Sequence, residues 1–498
     1  TEEEGAYRFD HILVRDAAYR RVLKRARAEL HERFADWLEH SPGARDRPGE
    51  YDEIIGYHLE QAGLYRGQLG PVDDRIRGLV TRASERLASA GRRAFVRGDL
   101  PAAIDLFGRA RATLPADDPM RVALAPDLAE ALMERGEFER AIEVLDDAER
   151  MADDPACVTT LERARLVRLL VDLYAGNEEG WLERTRSAVG TAIPLFDAAG
   201  DHTGLTTAWR LRNLAHVTAL EYDAGYEAAE QIITHAGAAG DMRQRRRGAL
   251  AYSLSAVNSP APVSEGIPRC EELIATVEGD RRSHAVIELC LGQLLAMDGQ
   301  IDRARAMYAD ARRMLEELGR SVLSASTSTD SAPVELLAGD LAAAEDQLRR
   351  DYAELEELGE AYLRSTVAGM LARVLVLRGA VDEAERIAVE VSRLASPDDV
   401  DAQVRWRSAL GRCRSLQARH DDAIALLDDA VAMTDGVAAP LLRAQALTDR
   451  AVVLGAGGRT DEADGDFAAA IGLYEAKGNR VAAEAVRELA AGPVTSPG

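Results

Sequence analysis

Small and apolar residues fall at fixed places around a series of glycines. Gly98, Gly136, Gly299, Gly339, Gly379 and Gly458 are each followed five residues later by alanine: Ala103, Ala141, Ala304, Ala344, Ala384 and Ala463. Ala418 with Ala423 supplies a seventh copy. Seven residues before each anchor stands a small residue: Gly91, Ala129, Gly292, Ala332, Ala372, Gly411 and Ala451. Nine residues after it a large one is frequent (Phe107, Leu145, Tyr308, Leu427, Phe467), and twelve after it another alanine (Ala110, Ala148, Ala311, Ala430, Ala470). Small residues at fixed offsets let two helices approach closely, the large one fills the remaining gap, and the glycine makes the turn. Such a helical hairpin cannot bury its apolar face alone, so the copies must stack.

A second set of glycines keeps the register through the middle of the chain. Gly200, Gly240, Gly279, Gly319 and Gly359 each fall between one hairpin and the next, and the word AAGD occurs at Ala198–Asp201 and again at Ala238–Asp241. A glycine followed by an aspartate is a helix C-cap followed by an N-cap. About ten hairpins are therefore expected between residues 79 and 490. Ahead of them, Ile12, Val14, Ala18 and Val22, then Leu30, Phe34 and Leu38, recur at helical spacing and predict two helices. A loop, SPGARDRPGEYD, and a helix containing IIGYHLEQAG follow.

The offset pattern resembles the tetratricopeptide repeat over about four-fifths of the chain, with a period of 38–40 residues that exceeds the usual length and implies longer helices. The resemblance implies an all-α, superhelical solenoid of right-handed pitch. Long repeats of this kind resemble those in the sensor regions of bacterial signalling ATPases. The N-terminal words Phe9-Asp10-His11, Arg15-Asp16-Ala17-Ala18-Tyr19, Leu30-His31 and Tyr57-His58-Leu59-Glu60-Gln61-Ala62-Gly63 resemble the segment that joins the ATPase module to the repeats in STAND-type regulators, where it closes a winged-helix domain. The division this implies is a winged-helix and linker remnant at 1–50, a connecting helix and loop at 51–78, the repeat array at 79–490 and a tail at 491–498. No GxxxxGK[ST] phosphate loop occurs, so the chain is not expected to hydrolyse ATP.

Composition narrows the choice of partner. The 498 residues carry a formal net charge of −24, which disfavours nucleic acid as a direct partner. Lys24 and Lys477 are the only lysines; nearly every other cation is arginine. Cys157, Cys270, Cys290 and Cys413 lie far apart without a CxxC and read as buried thiols of a reducing cytoplasm. No apolar run approaches the roughly 20 residues of a membrane span and no signal peptide is visible. The chain starts with Thr1 rather than Met, and is expected to be a piece of something longer.

Catalytic spacing is missing. HERFADWLEH is not HExxH, since Ala35 stands where the second ligand belongs, and His11, His31 and His58 are expected to pack or cap. GAGGRT at Gly455–Thr460 is not GxGxxG, no GxSxG occurs, and the many Asp and Glu read as solvated helix faces. No catalytic residue, metal or cofactor is expected.

Arginines do form a pattern. Arg243, Arg245, Arg246 and Arg247 follow Gly240, Arg281 and Arg282 follow Gly279, Arg320 follows Gly319 and Arg364 follows Gly359. Cations at a helix start oppose the macrodipole by a few tenths of a kcal/mol each. Aligned along one rim they would form a positive stripe for an anionic partner; alternatively each pairs with acids such as Glu278, Glu316 or Glu317. Carrying over the family's groove positions implies a concave surface with Arg373, Arg405, Ser408, Arg412, Gln445 and Thr448, suited to an acidic or extended peptide. Two stretches break the array, VNSPAPVSEG at Val257–Gly266 and SVLSASTSTDSAPVELLAGD at Ser321–Asp340, each a pocket, a hinge or a tolerated irregularity. The expected function is a non-catalytic cytoplasmic sensor and protein-interaction scaffold: the C-terminal region of a STAND-type regulator of signalling or transcription, with an ATPase module upstream and a protein, peptide or small-molecule effector. A stand-alone peptide-binding adaptor is the alternative, and a small-molecule sensor or enzyme in the groove the remote one.

Overall fold

A computed structural model describes residues 12–47, 49–97, 99–115, 118–150, 157–174, 180–277, 279–317, 324–358, 362–395 and 399–492. Phe9, Asp10, His11, Gly98, Glu278, Gly319, Arg320 and Gly359 fall outside them, as do the side chains of Arg15 and Asp16. The chain divides into two compact units, 1–211 and 212–498.

The first unit opens with α1 (Ile12–Arg21), α2 (Lys24–Glu39), the short α3 (Pro42–Asp46) and α4 (Asp52–Gly67). Two paired helices follow, α5 (Asp74–Val96) and α6 (Leu100–Thr113). After the one-turn α7 (Pro119–Ala123) come α8 (Ala125–Glu134) with α9 (Phe138–Glu149), and α10 (Val158–Tyr174) with α11 (Trp181–Ala199). Helix α12 (His202–Thr218) crosses the unit boundary and pairs with α13 (Tyr222–Ala239). In the second unit the pairs are α14 (Met242–Asn258) with α15 (Val263–Thr276), α16 (Arg281–Met297) with α17 (Ile301–Glu317), and α18 (Ser328–Leu337) with α19 (Leu341–Leu358). Then come α20 (Tyr362–Leu377) with α21 (Val381–Leu394), α22 (Val400–Leu416) with α23 (His420–Ala432), α24 (Pro440–Ala456) with α25 (Thr460–Lys477), and a last helix α26 (Arg480–Ala490). The result is an all-α solenoid of stacked hairpins, ten among the described residues.

The offsets read from the sequence are the packing code. Ala103, Ala141, Ala304, Ala344, Ala384 and Ala423 are fully buried, as are Ala110, Ala148, Ala311, Ala430 and Ala470. Gly91 shows why the small position must be small: a Cβ there would lie 2.9 Å from the ring of Phe107, the large residue of the same hairpin. Gly411 faces Leu427 in the same way, at 3.0 Å.

The junctions follow from local chemistry. Gly240 is left-handed (φ +70°), and the next residue, Asp241, caps α14 by accepting from the Gln244 amide at 3.0 Å. Asp280 does the same for α16 through the Ser283 amide at 3.1 Å. Ala418 occupies the glycine position of its copy and takes the same left-handed backbone (φ +61°).

Arginine staples each hairpin to a neighbouring element. Arg109 binds Glu60, Arg111 binds Asp147, Arg269 binds Glu230, Arg305 binds Glu335 and Arg349 binds Glu383. The bidentate guanidinium suits this role, although each exposed pair contributes only about 0.2–1 kcal/mol. The four cysteines are buried free thiols. Among the described residues no helix is long and apolar enough to cross a membrane.

Candidate functional site

Successive first helices of the hairpins in the second unit pack side by side, α20 on α22 and α22 on α24. The residues carried over as groove positions lie on this row. Arg405, Ser408 and Arg412 share one face of α22, because offsets of three and four return to the same side of a helix. A Cβ at Gly369 of α20 would approach the Arg405 Cβ to 3.0 Å, so the glycine makes room for that side chain.

Arg373 and Arg412 converge on one carboxylate. Arg373 Nε donates to Asp449 Oδ2 at 3.2 Å, and Arg412 Nη1 donates to Asp449 Oδ1 at 2.8 Å. Asp449 is 1% exposed, while the two arginine side chains keep 21% and 17%. Both guanidiniums thus retain surface beside a carboxylate that has almost none. Arg405 makes a two-pronged pair with Asp401 on its own helix, at 2.6 and 2.9 Å. Burial and the Asp401 charge act on Arg405 in opposite directions, and its pKa is raised on balance.

Thr448 turns its hydroxyl back to the Ala444 carbonyl at 2.7 Å. The neighbouring Tyr474 phenol is pushed up to about 12, chiefly by burial. Gln445 is half-buried on the same helix. Ser408 is 1% exposed, and its Oγ finds no hydrogen-bond partner among the described residues.

The row continues on α16 and α18 with a different chemistry. Gln293 donates to Asp330 Oδ1 at 2.6 Å, and burial pushes the Asp330 carboxyl up to about 6. The Ser- and Thr-rich break explains this place. A 3₁₀ turn at Ser324–Ser326 precedes α18, which starts only at Ser328 with its backbone amide on Asp351 Oδ2 at 2.6 Å. Pro333 lies inside α18.

The arginines at helix starts behave differently. Arg243, Arg245, Arg246 and Arg247 occupy the first turns of α14, half-buried, and Arg281 and Arg282 are exposed at the start of α16. Asp241 and Asp280 cap these helices and offset the dipole conflict. Arg281 pairs with Glu317, Arg364 with Glu356 at 3.6 Å, and Arg246 stands 4.0 Å from Asp280.

The other break in the array holds a contact that the sequence reading missed. Lys477, at the end of α25, is 1% exposed. Its ammonium donates to the carbonyls of Ala256, Ser259 and Ala261 at 2.6, 2.8 and 2.7 Å, at the end of α14 and in the turn that follows it. Burial depresses its pKa to about 7. Arg480 pairs with Asp298 beside it. The rarity of lysine was the available signal, but nothing local links residue 477 to residues 256–261. Asp449 was missed for a similar reason: its partners lie 37 and 76 residues away.

A family model of the tetratricopeptide repeat matches residues 94–163. No curated protein sequence matches the chain. Among solved structures, a Rap protein complexed with Competence and Sporulation Factor is similar with a TM-score of 0.56 at 10% identity, covering 73% of this chain and 100% of that one. The apo form of the quorum sensor NprR from B. thuringiensis has a TM-score of 0.45 at 12% identity over 70% of this chain and 97% of its own. The Cut9–Hcn1 hetero-tetramer of the APC/C has 0.38 at 13% identity over 97% and 99%.

Proposed function

We propose that the second unit binds an acidic or extended peptide segment along the α16–α24 row, and that the chain is a non-catalytic sensor scaffold. The observation that carries this reading is the convergence of Arg373 and Arg412 on Asp449. Two guanidiniums that keep part of their surface beside a buried carboxylate are poised to accept a second carboxylate from a ligand. The unpartnered, buried Ser408 hydroxyl lies one turn from both Arg405 and Arg412 and adds a polar anchor. The Rap structure, similar in fold over most of this chain, is complexed with Competence and Sporulation Factor, and a partner held by the repeat array is what we read here.

In the wider setting, this is the repeat region of a cytoplasmic STAND-type regulator whose ATPase module lies upstream. Binding would shift the pitch of the array and relay it through the N-terminal helices. The stand-alone adaptor uses the same groove and differs only in having no motor to report to. The Arg243–Arg247 and Arg281–Arg282 edge is a secondary contact for the same ligand.

The test is titration of the full chain with a fluorescein-labelled array of acidic decapeptides, read by anisotropy. Saturable binding that falls at least tenfold in Arg412→Ala and in Arg373→Ala supports the reading. Equal binding by both variants, or no preference for acidic over neutral decapeptides, would sink it.

A further inference from the structure

Helices α2 and α4 pack together over Ala35, Leu38, Ile55 and Leu59. On their outer side lies an open groove of about 540 Å³. Tyr19, Leu30, Arg33, Phe34, Trp37 and His58 line it. Its apolar walls are open to solvent: Trp37 is 63% exposed, Leu30 56% and Phe34 40%. These three sit at i, i+4 and i+7 on α2, a single helical stripe.

The floor of the groove is uncharged at neutral pH. Tyr19 Oη meets His31 Nε2 at 2.6 Å, and His31 Nδ1 meets His58 Nδ1 at 2.8 Å. One ring nitrogen of that histidine pair must be the acceptor, so a neutral ring is required. Burial and the facing His58 push His31 down to about 4, and burial lowers His58. The surrounding groups agree, since Arg27 stacks on Tyr19 and disfavours a further positive charge.

Exposed cations stand in the groove and next to it in the sequence: Arg33 lines the groove, and Arg20, Arg21 and Lys24 follow its wall residue Tyr19. None of the four joins an ion pair among the described residues. The acids of α2 are already engaged: Glu29 by Arg25, Glu32 by Arg66 and Arg75, Asp36 and Glu39 by Arg82. In a chain of net charge −24, four such cations within or next in sequence to the walls of one apolar groove stand out.

We propose that the α2–α4 groove docks an amphipathic helix of a partner protein, with acids flanking its apolar stripe. Apolar anchors at helical spacing along α2 match two turns of an incoming helix, the helix-in-groove mode of recognition. The four cations select acids and speed encounter. An anionic membrane surface is the weaker fit, because the site is concave and the whole chain is strongly acidic. This surface is separate from the peptide row on α16–α24.

The experiment is selection of randomised 18-residue helical peptides displayed on phage, with the full chain immobilised. Enriched peptides are then measured by anisotropy against the wild type, Trp37→Asp, and the double variant Lys24→Glu with Arg33→Glu. Trp37 is mostly exposed, so its replacement should leave the melting temperature unchanged. The expected result is enrichment of acidic sequences with apolar residues at i, i+3 or i+4, and i+7. Their affinity should fall at least tenfold in both variants and weaken steeply between 50 and about 500 mM salt. Three results would overturn the proposal: no enrichment; enriched peptides that bind both variants like wild type; or co-sedimentation of the chain with phosphatidylglycerol vesicles, lost in Trp37→Asp, without peptide binding.

Discussion

Replacing Asp449 by alanine removes the one carboxylate that ties α20, α22 and α24 together. Arg412 loses a 2.8 Å bond and Arg373 a 3.2 Å bond, and both are left facing each other across the vacated place. Removing one partner of a fully buried ion pair costs about 3–5 kcal/mol, much of it the penalty of the charge left behind. Here the arginine side chains keep about a fifth of their surface, so water can rehydrate them and the loss shrinks to roughly 2 kcal/mol. That corresponds to amide exchange about 30-fold faster through local opening. Hydrogen exchange followed by mass spectrometry on the full chain reads this segment by segment. The acceleration should appear in 362–377 and 400–416 as well as in 440–456, because the bridge spans three hairpins. Acceleration confined to 440–456 would refute the reasoning, since Arg373 would then contribute nothing through Asp449. An acidic peptide should also bind Asp449→Ala at least as well as wild type, because both guanidiniums become free for it.

Other outcomes are equally definite. Ala418→Gly should stabilise the second unit by about 0.5–1 kcal/mol, because a left-handed alanine is strained where glycine is not; a lower denaturation midpoint would contradict this. Gly91→Ala should destabilise the first unit by roughly 1–3 kcal/mol through a clash with Phe107, and Gly91→Ala with Phe107→Leu should recover part of the loss. Asp330 has a folded pKa of about 6, above its unfolded value, so its share of stability is present below about pH 4 and is lost as pH rises through 6. Asp330→Asn should therefore raise the melting temperature at pH 7.5 and not at pH 4. Lys477 has a folded pKa of about 7, below its unfolded value near 10.4, so its contribution to stability grows as pH rises from 7 toward 10. Lys477→Met should flatten that slope and speed exchange in 256–263; an unchanged slope would refute the assignment.

The sequence made the repeat legible because its rule is local. The distance from Gly91 to Phe107, or from Ala418 to Ala423, is set within one hairpin, so spacing alone reports packing. The row of Arg373, Arg405, Ser408 and Arg412 could be placed by carrying a register along the array. What the row binds to itself could not. Asp449 was one aspartate among many on a chain rich in acids, and no periodicity marks it as one that arginines of two other hairpins share. The VNSPAPVSEG break, read as a pocket, a hinge or an irregularity, spans the end of α14, the turn at 259–262 and the start of α15, and its Pro260 lines a small cavity with Lys477. The carbonyls of Ser259 and Ala261 there find their partner only when the fold returns Lys477 to them. The groove between α2 and α4 was half legible. Leu30, Phe34 and Leu38 showed helical spacing, but the structure buries Leu38 and leaves Leu30 and Phe34 exposed beside Trp37, because whether a stripe is covered depends on elements elsewhere in the chain.

The Lys477 contact has a consequence for the size of the second unit. An open solenoid can gain or lose a module at little penalty, since each module touches only its neighbours. Here the ammonium at the end of α25 must reach three carbonyls more than two hundred residues earlier. Inserting or deleting one module of 38–40 residues between α15 and α25 would carry the lysine away from its cage by a full hairpin. The contact therefore counts modules. It makes the number of hairpins in this unit a fixed quantity, as closure does in a barrel, where an array without it would be free to grow.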